Sequence, residues 1–223
     1  MTNRANIVCL GAGRMGRGIA VAFAYAGHQV TMIDVKARSA EDFAKLEADA
    51  LGEVTKTFAS LSKLGLLTEA DVDPLIARVS VVPASQSGAA LSEAGMVFEG
   101  VPEVVELKRE VLGSASRQVR PDTIMASTTS TILVDDLSGA IVNPRRFLNV
   151  HWLNPAYLIP LVEVSPGRAT DPRHRRRGQG TARRHRQGPG RLRGDARLHR
   201  SAHPGAGDER GRTHGRGRRR QCR

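Results

Sequence analysis

Residues 5–10, Ala-Asn-Ile-Val-Cys-Leu, form an apolar, β-favouring run that empties directly into Gly11-Ala12-Gly13-Arg14-Met15-Gly16. A helical pattern follows, from about Arg14 to Ala26. Strand, glycine turn and helix in immediate succession leave few folds open to the chain. In such a unit Gly11 permits the tight turn, Gly13 lets backbone amides come close to a pyrophosphate, and Gly16 lets the helix press against the sheet. The amides that open the helix, with the positive end of its dipole, point at the phosphates. A glycine turn can also serve packing alone, but the context here favours a nucleotide. Gly27-His28 ends the helix, Gln29 to Ile33 alternates like a second strand, and Asp34 follows Gly13 by 21 positions. An acid there accepts both ribose hydroxyls and repels a 2′-phosphate, so the cofactor expected is NAD rather than NADP. Lys36 and Arg38 lie close enough to soften that preference.

The 223 residues suffice for one large domain or a domain and a half. The net charge of +12 suggests a nucleic-acid binder until its distribution is read. From Met1 to Gly167, 15 Lys and Arg stand against 18 Asp and Glu; from Arg168 to Arg223, 19 stand against 4. The excess is confined to the tail. Cys9 and Cys222 offer no disulfide framework and no metal-ligand spacing, which suits a reducing compartment. Gly11 and Gly13 interrupt the first apolar run before a signal or membrane helix could form, so a soluble, cytoplasmic protein without a membrane partner is expected.

After Asp34, Phe43, Leu46, Leu51, Val54, Phe58, Leu61 and Leu64 recur at three- and four-residue steps, an amphipathic helical excursion from Ser39 to Leu64. Thr68 caps a short helix through Ile76, and Val79 to Val82 reads as a strand. A short helix from Gly88 to Glu93 leads into a buried strand over Met96 to Glu99. Glu103 to Gln118 is helical by periodicity, and Thr123 to Ala126 is the next strand. Phe147 to Val150 is a last short strand candidate, with Leu161-Val162-Glu163-Val164 beyond it. The alternation implies an α/β fold: a doubly wound, mostly parallel sheet of Rossmann type, with ligands along the strand carboxyl ends. Glu99, Ser127 and Ser130 are expected to face that edge.

Oxidation of an alcohol needs a base for the hydroxyl proton, a group holding that base in one tautomer, and a cofactor beside the reacting carbon. His151 can be the base. Glu163, an acid between aliphatics that is costly to bury unpaired, can hold its other ring nitrogen. Ser130 can hydrogen-bond the substrate oxygen. Each alone has a plain structural reading: a core histidine, a helix-capping serine run, a solvent-facing glutamate. Their combination behind a nucleotide motif favours catalysis.

These residues resemble the L-3-hydroxyacyl-CoA dehydrogenases, which include 3-hydroxybutyryl-CoA dehydrogenase. The likeness covers Asn6 to about Gly167. It rests on G-A-G-R-M-G, on Val97-Phe98-Glu99-Gly100-Val101-Pro102-Glu103 continuing to Lys108, on Ala126-Ser127-Thr128-Thr129-Ser130, and on His151-Trp152-Leu153-Asn154-Pro155 with Leu161-Val162-Glu163-Val164. The resemblance implies that Ser130 touches substrate and cofactor, His151 is the catalytic base, Glu163 is its paired acid, and Glu103 and Lys108 contact the nucleotide. Asn154 falls in the same motif as a substrate-binding candidate. The implied reaction is NAD-dependent oxidation of a 3-hydroxyacyl-CoA to the 3-oxoacyl-CoA, in fatty acid or butanoate metabolism. Thr128 stands where the family usually has Asn, and Trp152 replaces a more usual Phe, which leaves the acyl group open. Lys56 or Lys63 could reach a phosphate of CoA. A dehydrogenase of the same superfamily acting on carnitine or a sugar acid would use the same His151 and Glu163.

From Arg168 the chain carries 19 Arg and no Lys, with Leu192 and Leu198 its only large aliphatics. Such a segment, residues 168–223, is expected to be a disordered, low-complexity Arg/Gly-rich tail beside an NAD-binding domain over 1–167. As a nucleic-acid tail it would lack aromatic stacking, so an NAD-binding protein with an RNA-binding tail is the weaker alternative. A frame-shifted origin explains arginine without lysine: codons for Arg193 to His203 read one base later can spell G-A-T-P-G-Y-I-V-P-R, similar to the family's turn into its second domain. The resemblance implies that this second, helical domain closes the substrate cleft and forms a homodimer. The expectation here is therefore the Rossmann half of the site.

Overall fold

The computed structural model describes residues 4–184. Strands β1 (Asn6–Leu10), β2 (Val30–Asp34), β3 (Val79–Pro83), β4 (Ala94–Glu99), β5 (Ile124–Ser127), β6 (Phe147–Trp152) and β7 (Val162–Pro166) form one sheet in the order β3-β2-β1-β4-β5-β6-β7. All neighbours are parallel except β6 and β7, which are antiparallel. The order reverses direction at β1, the switch point beside which open α/β sheets bind ligands.

Helices α1 (Arg14–Tyr25), α2 (Ala40–Lys63), α3 (Glu69–Ile76), α4 (Gly88–Glu93), α5 (Val105–Ser116) and α6 (Val134–Ser138) cover the sheet. Because side chains alternate along a strand, β1 splits between two cores. Ile7 and Cys9 join Phe23 of α1 and Val54 and Phe58 of α2; Val8 and Leu10 join Leu91 of α4, Leu112 of α5 and Leu137 of α6. The excursion α2 begins at Ser39, whose hydroxyl accepts the Asp42 amide, with Glu41 and Asp42 in the first turn. Trp152 meets Phe23 and Phe98 edge-on at 5.8 Å, and Phe23 and Phe98 pack as a tilted pair at 5.3 Å, joining β4, β6 and α1.

The segment expected to be a tail, 168–223, is described as far as residue 184. A further helix, α7 (Pro172–Arg184), continues the folded body and packs against β6 and β7. Asp171 starts it: its carboxylate accepts the Arg173 amide at 2.7 Å and the Arg145 guanidinium at 2.9 Å, and Pro172 occupies the first helical position. Gly178 is buried against Leu148, and Arg177 reaches the Asp122 carbonyl at 2.9 Å. The remainder of the expected tail, 185–223, lies outside the described residues. Among the described residues no helix is long and apolar enough to cross a membrane.

Candidate active site

β1 delivers the chain to Gly11 at φ +108°, a left-handed backbone that favours glycine. A β-carbon on Gly16 would fall 2.0 Å from the Gly11 carbonyl oxygen. Both glycines are therefore demanded by the fold. Gly13 differs. Its φ of −81° and ψ of −173° suit any residue, and a β-carbon there would meet nothing within 4 Å. Neither backbone nor packing requires glycine at 13, where the open space would admit close approach of a ligand. No side chain caps α1, which leaves the amides of its first turn, Arg14 and Met15 among them, for a ligand. Buried Ala12 completes the turn, its carbonyl accepting the Arg17 Nε at 2.8 Å.

Asp34 ends β2 next to this turn and is buried. Arg38 Nε donates to its Oδ2 at 2.6 Å, and the Lys36 amide to its Oδ1 at 3.3 Å. The acid expected to take the ribose is thus already engaged by the cation expected to soften its preference.

At the carboxyl ends of β4 and β5 a polar cluster lies below the rim. Glu99 is fully buried; its Oε1 accepts Lys108 Nζ at 2.7 Å and the Val101 amide at 2.8 Å, while Ser127 Oγ donates to Oε2 at 2.6 Å. Glu99 and Ser127 therefore do not face the open edge as expected, because the Lys108 ammonium draws the carboxylate inward. Lys108 is itself buried, and its Nζ also donates to the Val101 carbonyl at 3.1 Å and pairs with Glu103 at 3.2 Å. Its charge is spent on these carboxylates beneath the rim. Glu103, partly exposed, accepts the hydroxyls of Thr129 and Thr131. Burial pushes its carboxyl up, but the Thr129 hydroxyl and the Lys108 charge outweigh that and hold it below the usual carboxylate range.

β6 and β7 place His151 and Glu163 directly opposite one another in the antiparallel ladder, with Nδ1 and Oε2 2.9 Å apart. Both are partly exposed. Since β1 and β6 run parallel, this pair and the glycine turn share one rim. Ser130 lies exposed in the loop after β5 and makes no hydrogen bond among the described residues. That loop is tied to the strand of His151 by Asn149, whose Nδ2 donates to the Thr129 carbonyl at 2.9 Å. Asn154 is exposed, three residues beyond His151, and lines a neighbouring cleft. Lys56 and Lys63 are exposed on α2.

Sequence reasoning missed Asn149, Thr129 and the Glu99–Ser127 contact. Their signal is spatial: Ser127 and Asn149 are register partners across β5 and β6, a relationship no spacing reveals. Among the described residues no group of three or more His, Cys, Asp or Glu is placed to hold a metal ion.

A parallel sheet whose switch point carries a strand, a glycine turn and a helix in succession defines a dinucleotide-binding domain of Rossmann type. Residues 6–192 match the family model described as 3-hydroxyacyl-CoA dehydrogenase, NAD binding domain. The chain belongs to that family and is an NAD-binding domain. It is 35% identical over 173 residues to the 5-formyl-3-hydroxy-2-methylpyridine 4-carboxylate 5-dehydrogenase of Mesorhizobium japonicum, covering 75% of this chain and 50% of that protein. It is 34% identical over 164 residues to a probable 3-hydroxybutyryl-CoA dehydrogenase of Bacillus subtilis, covering 74% and 54%. The crystal structure of (S)-3-hydroxybutyryl-CoA dehydrogenase from Ralstonia eutropha superposes with a TM-score of 0.72 at 28% identity, covering 81% of this chain and 60% of that one. The chain spans about half the length of the curated relatives it matches.

Proposed function

We propose that this chain is the NAD-binding part of a dehydrogenase that oxidises an L-3-hydroxyacyl-CoA to the 3-oxoacyl-CoA. The observation that carries the reading is the His151–Glu163 pair on the same rim as the glycine turn. NAD, when bound, supplies the hydride acceptor for C3. Gly11, Gly13, Gly16 and the first amides of α1 would hold its pyrophosphate, and Asp34 its adenosine ribose. Glu103, positioned by Lys108, would meet the nucleotide further along the rim. His151 takes the hydroxyl proton on Nε2, while Glu163 holds Nδ1–H and stabilises the imidazolium that forms. Ser130 donates to the substrate oxygen, and Asn154 supports the acyl end. The reading carries with it a cytoplasmic setting, a role in β-oxidation or butanoate metabolism, and a homodimer completed by a helical second domain.

The test is NADH oxidation with acetoacetyl-CoA, set against NAD reduction with carnitine. The chain is assayed alone and mixed with the C-terminal part of the Bacillus subtilis relative. Turnover of acetoacetyl-CoA that falls about 10²- to 10⁴-fold in His151→Gln supports the reading. Preferential carnitine oxidation, or turnover indifferent to His151, overturns it.

A further inference from the structure

A polar row crosses four strands just beneath the rim: Glu99 of β4, Ser127 of β5, Asn149 of β6 and Ser165 of β7 are successive register partners. Side chains alternate along β6. Leu148, Val150 and Trp152 enter the core shared with α1 and α2, and Phe147 enters the other, so Asn149 and His151 share the face turned to α5 and α6. Two residues of strand separate them, about 6.6 Å.

The Asn149 carboxamide is used on one side only. Its Nδ2 donates to the Thr129 carbonyl at 2.9 Å, whereas its Oδ1 is buried and takes no donor among the described residues. A buried acceptor with no donor loses its water and gains nothing in return. An apolar side chain of the same size would carry no such penalty, so what asparagine adds at 149 is the Nδ2 bond.

That bond orients a peptide whose other half belongs to Ser130. Thr129 is already held at its amide, which donates to Ser127 Oγ at 3.3 Å, and at its hydroxyl, which donates to Glu103 and accepts the Ile132 amide at 3.0 Å. Among the described residues no backbone amide donates to the Thr129 carbonyl. The Thr129–Ser130 peptide is trans and therefore planar, with its C=O and N–H opposed. Turning the carbonyl turns the Ser130 amide with it, and the direction in which the Ser130 side chain leaves the loop.

We infer that Asn149 is a positioning residue: by holding the Thr129–Ser130 peptide from the strand of His151, it sets the Ser130 hydroxyl and the His151 imidazole at the separation where both meet one substrate oxygen. This role rests on the dehydrogenase reading, in which Ser130 donates to that oxygen and His151 takes its proton.

The experiment compares the full chain with Asn149→Leu, which keeps the bulk, and Asn149→Asp, which keeps the shape; neither donates to a carbonyl at neutral pH. In both, NMR relaxation should show the order parameter of the Ser130 amide falling from about 0.85 to below about 0.6, with the β5 and β6 amides unchanged. In the mixture with the C-terminal part of the Bacillus subtilis relative, kcat for acetoacetyl-CoA should fall about 10- to 100-fold. KM for acetoacetyl-CoA and for NADH should stay within about twofold of wild type. In a Ser130→Ala background the same substitutions should cost less than about a further twofold, because their effect passes through Ser130. Where Asn149→Leu does not unfold cooperatively in urea, Asn149→Asp carries the comparison. An unchanged Ser130 amide, losses that multiply in the double variants, or loss of cooperative unfolding in both single variants overturns the inference. A wild-type mixture without turnover counts against the dehydrogenase reading instead, and the Ser130 amide alone then decides whether Asn149 places the loop.

Discussion

Gly16 and Gly11 approach so closely that a β-carbon on Gly16 would lie 2.0 Å from the Gly11 carbonyl oxygen, backbone that cannot swing aside. Gly16→Ala should therefore destabilise the fold by about 1–3 kcal/mol through overpacking. Gly13→Ala meets nothing within 4 Å and should cost no more than the ~1 kcal/mol of a poorer helix cap. The same Gly13→Ala substitution should weaken NADH binding at least about tenfold. Urea unfolding and fluorescence titration of the two variants separate the effects. Equal affinity for NADH in wild type and Gly13→Ala would show that the open space is not the cofactor's.

Asp34 and Arg38 are joined at 2.6 Å, so the carboxylate proposed to repel a 2′-phosphate also holds the cation that would welcome one. Asp34→Asn removes the repulsion and frees Arg38. Its ratio of NADPH to NADH affinity should rise about tenfold or more over wild type. An unchanged ratio would place the ribose elsewhere.

Lys108 neutralises a carboxylate that water cannot reach. Lys108→Met leaves Glu99 buried and unpaired, a loss of about 3–5 kcal/mol, while Glu99→Gln with Lys108→Met should recover most of it. The substitution also removes a positive charge from Glu103, whose carboxyl is held below its ordinary range. A depressed folded-state value contributes stability above the unfolded value near ~4.3 and loses it as pH falls through the folded one. Glu103→Gln should accordingly flatten the decline of stability on acidification below about pH 4.3. An identical acid limb in wild type and variant would contradict this.

Cys9 lies in the centre of the sheet, and burial alone pushes its thiol up to about 12. Alkylation at pH 8, read by mass spectrometry of the Cys9 peptide, should proceed only as fast as the protein unfolds. Prompt labelling under native conditions would mean that β1 is accessible.

The sequence made β1 to β5 legible because each is an apolar run bounded by glycine, proline or a helical period, and the glycine turn anchors their order. The antiparallel direction of β7 was not legible, since Leu161 to Val164 reads identically both ways; only the ladder pairing of His151 with Glu163 shows it. Helix α7 escaped notice because arginines give no apolar stripe, and its seat depends on a bare Gly178 against Leu148. The inward turn of Glu99 depends on Lys108, nine residues on, whose burial no local pattern announces. The candidate base and its acid, by contrast, could be paired from Glu163 alone, an acid among aliphatics that needed a partner.

The most direct test of a nicotinamide nucleotide beside this imidazole is an NMR titration of the chain with NAD, following the His151 ring signals assigned through His151→Gln. Saturable movement of those signals, with the dissociation constant found by calorimetry and weakened in parallel by Gly13→Ala, is the expected result. Binding of NAD to saturation with the His151 ring unmoved would contradict it.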